Sequence, residues 1–185
     1  INNTSGSSIT LSNNNAQTWG GGFTFTGSSD LNLGTGAVNL SGSRTITVNG
    51  GILTVGGIIT GNDTRTLTKA GTGTLVLTGN NSYALAIVNA GALNIRHANA
   101  AGGLSDGPTV ASGAALELQG GITLALAMEI NGTGVGGNGA LRNISGNNTV
   151  SNVDGIILNA ATTIQSDDGL LTITGPIDKD RKSVV

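Results

Sequence analysis

The sequence predicts an all-β fold in which one chain winds into a stack of parallel coils, a β-solenoid of roughly eight coils. Apolar residues alternate with small polar ones along almost the whole chain, and clusters of Gly and Asn interrupt the alternation. In addition, a Gly-led phrase recurs at a loose interval of about 22 residues, within the range of solenoid repeats. Alternation with period two is typical of strands.

Short alternating runs define the predicted strands in chain order. They are residues 23–26, 31–33, 45–48, 92–95 and 122–130, the last being the longest run. Each run places one set of side chains inward and the other outward, and Thr, Val and Ile suit the pleated surface. We expect strands of about four to seven residues, with at most one helical turn over residues 96–101.

The Gly-led phrase begins at seven positions and carries alternating aliphatic residues. The seven phrases are residues 36–40, 51–55, 73–77, 91–95, 113–118, 139–144 and 169–173. The intervals between their starts vary, and the loose period of about 22 residues fits one coil of three short strands and three corners. Stacked at the strand spacing of about 4.8 Å, eight coils give a rod on the order of 40 Å long.

Composition favours a narrow solenoid and excludes several function classes. Aromatic residues are only 2% of the chain, so Leu, Ile, Val and Ala must fill the core, whereas sandwiches and barrels use larger side chains. The net charge of −2 argues against nucleic-acid binding, and the absence of Cys excludes disulfides and thiolate metal sites. No apolar run is long enough to span a bilayer as a helix, so we expect no transmembrane segment in this chain. Because the first residue is Ile rather than Met, we expect a processed product or a fragment.

Residues 67–95 carry a distinctive phrase. It reads Leu67-Thr-Lys-Ala-Gly-Thr-Gly-Thr-Leu-Val-Leu-Thr-Gly-Asn-Asn-Ser-Tyr83, followed by Ile87-Val-Asn-Ala-Gly-Ala-Leu-Asn-Ile95. The phrase resembles the autotransporter-associated β-strand repeat of bacterial passenger domains, roughly LTKxGxGTLxLxGxNxYxGxTxVxAGxLxL. Residues 84–86 depart from it, since the family has a Gly-containing corner there. Weaker likeness in residues 23–38 and 132–148 extends the resemblance to most of residues 18–177.

This resemblance implies a right-handed parallel β-helix that is exported and lies on a bacterial outer cell surface or outside the cell. In the family such segments serve mainly as stalk and secretion-assisting structure. The motif contains no catalytic residues, so the resemblance implies none here.

Residues able to carry out chemistry are few. His97 is the only histidine, and we expect it to be structural or solvent-facing. Residues 134–139 match GxGxxG but neither follow a clear strand nor open a helix, so a corner is expected. Glu117 and Glu129 would lie close together if residues 113–118 and 122–130 occupied stacked coils, as a polysaccharide-cleaving enzyme would need. We expect two isolated, solvated side chains instead, and no catalytic, metal or cofactor site.

Three of the four aromatic residues, Trp19, Phe23 and Phe25, cluster near the N-terminus. One interpretation is a platform on which a surface glycan stacks. The other, which we favour, is packing in a wider first coil or a contact at the end of the stack.

The chain ends break the pattern. We expect residues 1–177 to form one β-solenoid domain and residues 178–185 to form a charged tail, with Asp178, Lys179, Asp180, Arg181 and Lys182 at an exposed end or a subunit contact. Natural solenoids cap their open strand edges, and no amphipathic helix is predicted at either terminus. The chain is therefore expected either to be part of a longer passenger or to pair end to end with other copies.

The sequence thus predicts a non-enzymatic structural solenoid without cofactors, acting as stalk, adhesin scaffold or filament subunit. A glycan-binding adhesin module is the alternative hypothesis, and a polysaccharide-cleaving β-helix enzyme is the third.

Overall fold

The computed structural model describes residues 1–104 and 106–179, and these are almost entirely strands and turns. The strands stack in parallel as eight coils, which confirms the predicted β-solenoid. We number each coil from its first strand, and the first strands together form face A. Face A consists of β1 (Ile9–Thr10), β4 (Leu31–Asn32), β7 (Ile52–Val55), β10 (Thr74–Leu77), β12 (Ala92–Ile95), β14 (Ala115–Gln119), β17 (Leu141–Ser145) and β20 (Ile164–Ser166).

Each coil also contributes a strand to face C, the second eight-stranded sheet. Its strands are β3 (Phe23–Phe25), β6 (Arg44–Val48), β9 (Thr66–Ala70), β11 (Leu85–Val88), β13 (Thr109–Val110), β16 (Met128–Ile130), β19 (Ile156–Leu158) and β22 (Ile177–Asp178). The last of these strands takes in Asp178, the first residue of the predicted tail.

Face B lies between faces A and C along the chain and is interrupted. Coils 1 to 3 supply β2 (Gln17–Trp19), β5 (Val38–Leu40) and β8 (Ile59–Thr60), and coils 6 to 8 supply β15 (Thr123–Leu124), β18 (Asn148–Val150) and β21 (Leu171–Ile173). Coil 4 has only an isolated bridge between Thr60 and Ser82. In coil 5 this position is a turn in which the Ala100 N–H donates to the His97 carbonyl at 3.0 Å, so residues 96–101 form no helix.

One aliphatic column runs through all eight coils inside face A. Its members are Ile9, Leu31, Leu53, Leu75, Leu93, Leu116, Leu141 and Ile164, paired in register from coil to coil. The six internal members are buried, and only the two end residues are partly exposed. Each coil therefore shields the apolar side chain of its neighbour from water, the main favourable term in such a fold.

Two of the seven Gly-led phrases lie on a different face from the other five. Residues 36–40 and 169–173 contain β5 and β21 on face B, whereas the other five phrases lie on face A. A Gly corner followed by an alternating pair has the same sequence pattern on either face. The face A strands of coils 2 and 8 are β4 and β20 instead, and this switch of face explains why the first interval between phrases is the shortest and the last is the longest.

The longest alternating run, residues 122–130, also differs from its predicted form. It is divided into β15 on face B and β16 on face C, with a corner at residues 125–127. Ala125 and Ala127 continue the alternating sequence pattern across this corner, although the backbone turns there from face B to face C. Because such corners are frequent, the strands are shorter than predicted, and several consist of a single pair of residues.

Glycine permits the close stacking of corners between faces A and B. A Cβ on Gly57 would lie 1.9 Å from the Gly36 carbonyl oxygen, and one on Gly79 would lie 2.5 Å from that of Gly57. Only Gly lets backbones approach this closely. Within the described residues, no helix has the length and apolar character needed to cross a membrane.

Candidate functional site

The two glutamates considered as a catalytic pair lie on different faces of the same coil. Glu117 belongs to β14 on face A, and Glu129 belongs to β16 on face C. The condition under which they would lie close together, residues 113–118 and 122–130 in stacked coils, is therefore not met. The expectation of two isolated, solvated side chains is wrong for Glu117, because Asn94 and Arg142 both contact its carboxylate. The Glu129 carboxylate instead accepts a hydrogen bond from the Asn159 Nδ2 at 3.3 Å, one coil further along.

Glu117 takes part in a polar network on the outside of face A, which we call the outer ladder. Asn94, Glu117, Arg142 and Gln165 occupy equivalent positions in coils 5 to 8. The Asn94 Nδ2 donates to Glu117 Oε2 at 3.2 Å, and Arg142 Nη1 lies 3.5 Å from Glu117 Oε1. Arg142 Nη2 also lies 2.5 Å from Asp167 Oδ2, so one guanidinium joins two carboxylates.

The Asp167 carboxyl, which Arg142 joins to the outer ladder, is unsuited to donating a proton. The hydrogen bond from Arg142 is the main cause that lowers the pKa of Asp167, and a second bond from the Gln165 Nε2 at 2.6 Å acts in the same direction. Glycosidic-bond cleavage requires a carboxylic acid whose pKa is raised, so that it carries a proton to donate. The ladder is better suited to holding successive coils in register.

Sequence reasoning missed the outer ladder because each of its members comes from a different coil and is distant from the next in the sequence. The available signal was the alternation itself, since Glu117 and Arg142 each directly follow an inward leucine. That signal becomes usable only when the face A strands are aligned in their true register.

The remaining motifs form local turns. The His97 Nδ1 accepts a hydrogen bond from the Asn99 backbone N–H at 3.1 Å. The GxGxxG segment forms a single 3₁₀ turn at Val135–Gly137, closed by a bridge between Gly134 and Gly139. In the part of the chain that the structure describes, no three His, Cys, Asp or Glu side chains are grouped to hold a metal ion.

The aromatic residues near the N-terminus are mostly packed inside. Trp19 is 6% exposed, Phe25 is fully buried and Phe23 is half-buried. The Trp19 and Phe23 rings meet edge to face, with centroids 5.2 Å apart, and the Trp19 Nε1 donates to Gln17 Oε1 at 3.2 Å. Sugar stacking needs an open ring face, so this arrangement favours packing within coils 1 and 2.

The N-terminal end of the stack exposes apolar side chains. Ile9 and Leu11 are exposed above the buried Leu31 and Leu33 and border an open cavity of about 530 Å³. The Ile1 carbonyl accepts the Thr26 N–H at 2.9 Å, which covers part of the face C edge. Among the described residues, β1 and β2 have no partner strand on this side.

The C-terminal end has the same character. Leu170 is 60% exposed, Ile177 is exposed, and Leu171 and Ile173 are half-buried. Here β20, β21 and β22 have no following strand within residues 1–104 and 106–179. A parallel sheet edge above an open apolar column is a surface on which another coil can continue the stack.

The predicted tail contact is only partly described. Asp178 and Lys179 lie at the end of face C, and the Asp178 carboxylate accepts the Lys179 N–H at 2.8 Å. Asp180, Arg181 and Lys182 lie outside the described residues.

Lys69 is an internal cation that sequence reasoning did not single out. It stacks between Ile46 and Val88 inside face C and is 1% exposed. Its Nζ donates to the carbonyls of Ala70, Gly71 and Ala90 at 2.9, 2.7 and 2.9 Å. Burial lowers the pKa of Lys69 to about 8. The ammonium group therefore links the corners of coils 3 and 4.

Asn81 and Tyr83 belong, like Lys69, to the distinctive phrase of residues 67–95. They link coils 3, 4 and 5. The Asn81 Oδ1 accepts the Ile59 N–H at 2.8 Å, while its Nδ2 and the Tyr83 hydroxyl both donate to the Ala100 carbonyl at 2.8 Å. Burial is the main cause that raises the pKa of the Tyr83 hydroxyl, so it remains a neutral donor.

Comparisons of the chain with models of known protein families, with curated proteins and with solved structures found no match.

Proposed function

We propose that this chain is a rigid, non-enzymatic shaft segment of an exported bacterial surface protein of the autotransporter passenger type. The observation that carries the proposal is the pair of eight-stranded parallel sheets whose open apolar ends suit a further coil. Side-chain contacts between coils support the same role, because Lys69, Asn81 and Arg142 all join neighbouring coils.

Exposure on the cell surface is tested by antibodies raised against the purified chain. Intact producing cells should be labelled, and external protease should remove the label. A cytoplasmic protein of the same cells serves as the control and should be labelled only after permeabilisation. Labelling of the shaft protein only after permeabilisation would contradict the proposal.

The partner at each end is another solenoid coil, either from a longer passenger chain or from a second copy. We test the second source by sedimentation at rising protein concentration. The double variant Ile9→Lys with Leu11→Lys places charge on the apolar N-terminal end of the stack. It should abolish any growth in particle size with protein concentration. Lysine at Asn39, which is exposed on the side of the rod, is the matched control. If the particle size of the Ile9 and Leu11 variant still grows with concentration, the copies associate through another surface.

A further inference from the structure

An open cavity of about 360 Å³ lies at the corner between faces A and B in coil 1, where the chain passes from β1 to β2. Two of its described lining residues, Leu11 and Leu33, are apolar. The others carry neutral polar side chains, and they are Thr10, Ser12, Asn13, Asn14, Asn15 and Gln17. No charged side chain is among the described residues that line it. We call this cavity the amide pocket.

Coil 2 holds the wall of the amide pocket in place. The Leu11 N–H donates to the Asn32 carbonyl at 2.9 Å. At the other end of the wall, a Cβ on Gly36 would lie 2.1 Å from the Asn15 carbonyl oxygen, so only Gly allows the two backbones to approach this closely. The wall is therefore preorganised, which reduces the conformational entropy lost when a ligand binds.

Asn14 fixes the turn in this wall. Among the described residues it is the only one other than Gly with a positive φ, 53°, which Asn tolerates. Its Oδ1 accepts the Thr35 N–H at 2.7 Å, and its Nδ2 donates to the Ser12 carbonyl at 3.0 Å. The exposed side chains of Asn13 and Asn15 on either side form no hydrogen bond with any described residue, so both amides are available to a ligand.

The Gln17 amide is oriented by Trp19. The Trp19 Nε1 donates to Gln17 Oε1 at 3.2 Å, and an indole N–H can only donate, so it must face the amide oxygen. The Gln17 Nε2 is therefore the group left to donate to a ligand. Trp19 contributes to the amide pocket by positioning this amide, while its own ring stays packed inside.

We propose that the amide pocket binds a neutral saccharide. Amide and hydroxyl side chains supply both the donors and the acceptors that sugar hydroxyls need, and the exposed Leu11 offers an apolar surface to the C–H groups of a sugar ring. An ionic ligand would find no counter-charge among the described lining residues, and an apolar ligand would leave the amides unpaired. The inference goes beyond the shaft role and does not depend on export.

An array of immobilised saccharides tests the class of ligand. The labelled full chain is applied to neutral hexose and N-acetylhexosamine oligosaccharides, with oligosaccharides of uronic and sialic acids on the same array. We expect binding to neutral members only. NMR titration with the best neutral saccharide should then shift the backbone amide signals of residues 10–17. No binding to any neutral member, or equal binding to the acidic ones, would overturn the proposal.

Variants of the amides test the pocket itself. Gln17→Glu keeps the oxygen that accepts the Trp19 N–H but removes the Nε2 donor, and it should weaken saccharide binding about five- to tenfold. Asn15→Ala, at an exposed side chain, should act in the same direction. The control Asn62→Asp adds the same charge as Gln17→Glu at an exposed corner of coil 3 and should leave the affinity unchanged.

Circular dichroism establishes that each variant retains its strands. Unchanged affinity in both pocket variants would overturn the proposal, as would an equal loss in the Asn62 control. Surface labelling and sedimentation do not enter these measurements, so this inference and the proposed function fail separately.

Discussion

Coils 1 to 4 and coils 6 to 8 build the same solenoid in different ways. In coils 1 to 4 the face A column advances by an identical interval at every step, through Ile9, Leu31, Leu53 and Leu75. The later steps are unequal, and they pass through Leu93, Leu116, Leu141 and Ile164. The second inward column of face A also changes, because Val55, Leu77, Ile95 and Leu118 give way to Asn143 and Ser166.

Buried amides compensate for that irregularity. The strands β14 and β17 shift register after Leu118. Beside the shift, the Asn143 Nδ2 donates to the Ser166 Oγ and the Asp168 carbonyl, both at 2.9 Å. Asn148 hydrogen-bonds to Asn143 and accepts the Ile122 N–H at 2.7 Å. Aliphatic stacking thus dominates the regular half, while hydrogen bonds and the outer ladder contribute more to the irregular half.

The largest expected effect comes from a cavity in the regular half. Leu75→Ala should lower the free energy of unfolding by about 2–5 kcal/mol, because Leu75 is fully buried. Ile164→Ala, in the same column but half-buried at the end, should cost clearly less. Urea unfolding of both variants measures the difference, and equal losses would contradict a core continuous through the stack.

A polar-to-apolar change in the irregular half should have the next largest effect. Asn143→Leu removes the donor to the Asp168 carbonyl and the acceptor of one Asn148 hydrogen bond, at a cost of about 1–3 kcal/mol. The Asn148 Nδ2 keeps the Ser145 and Gly146 carbonyls as acceptors. Asn39→Leu, on the exposed outside of β5, is the control and should be nearly neutral. If Asn143→Leu stabilised the protein, the amide network would not be what holds this half.

Lys69 should make the stability of the regular half depend on pH. Its pKa is about 8 in the folded chain and 10.5 when unfolded, so the unfolded state binds more protons between these values. Raising the pH from about 8 to 10.5 should therefore stabilise the native state. The Lys69→Met variant should lack this rise when urea unfolding is repeated across the window. A parallel pH response in the two proteins would show that another group is responsible.

The smallest expected effect concerns the outer ladder. Arg142→Gln should cost about 1 kcal/mol or less, since its ion pairs are partly exposed to solvent. Loss of the guanidinium should also raise the pKa of Asp167 toward its ordinary value. NMR titration of the Asp167 carboxyl measures this. An unchanged titration would mean that Arg142 does not pair with Asp167 in solution.

Sequence patterns were sufficient to predict that the chain winds into stacked coils. They were not sufficient to predict the face of every strand or the residues of every polar site. The leucine column follows from alternation and the Gly-led phrases, because stacking repeats the same local pattern. Lys69 is different: alternation after Leu67 places it inside, whereas its charge argues for the surface. Only the three corner carbonyls explain its burial, and one of those, from Ala90, belongs to the next coil. The pairing of Glu117 with Arg142 likewise depends on the register between β14 and β17, two strands that are distant in the sequence.

Distances along the rod test the stacking of coils most directly. Spin labels are introduced as cysteine pairs on the outside of face A, one at Asn32 in coil 2 and the other at Glu117, Arg142 or Gln165 in coils 6 to 8. Pulsed electron resonance should give narrow distributions whose mean grows by about 4.8 Å per coil, corresponding to axial separations of about 19, 24 and 29 Å. Distances that do not increase in this order, or distributions too broad to rank, would contradict a rigid stack of parallel coils.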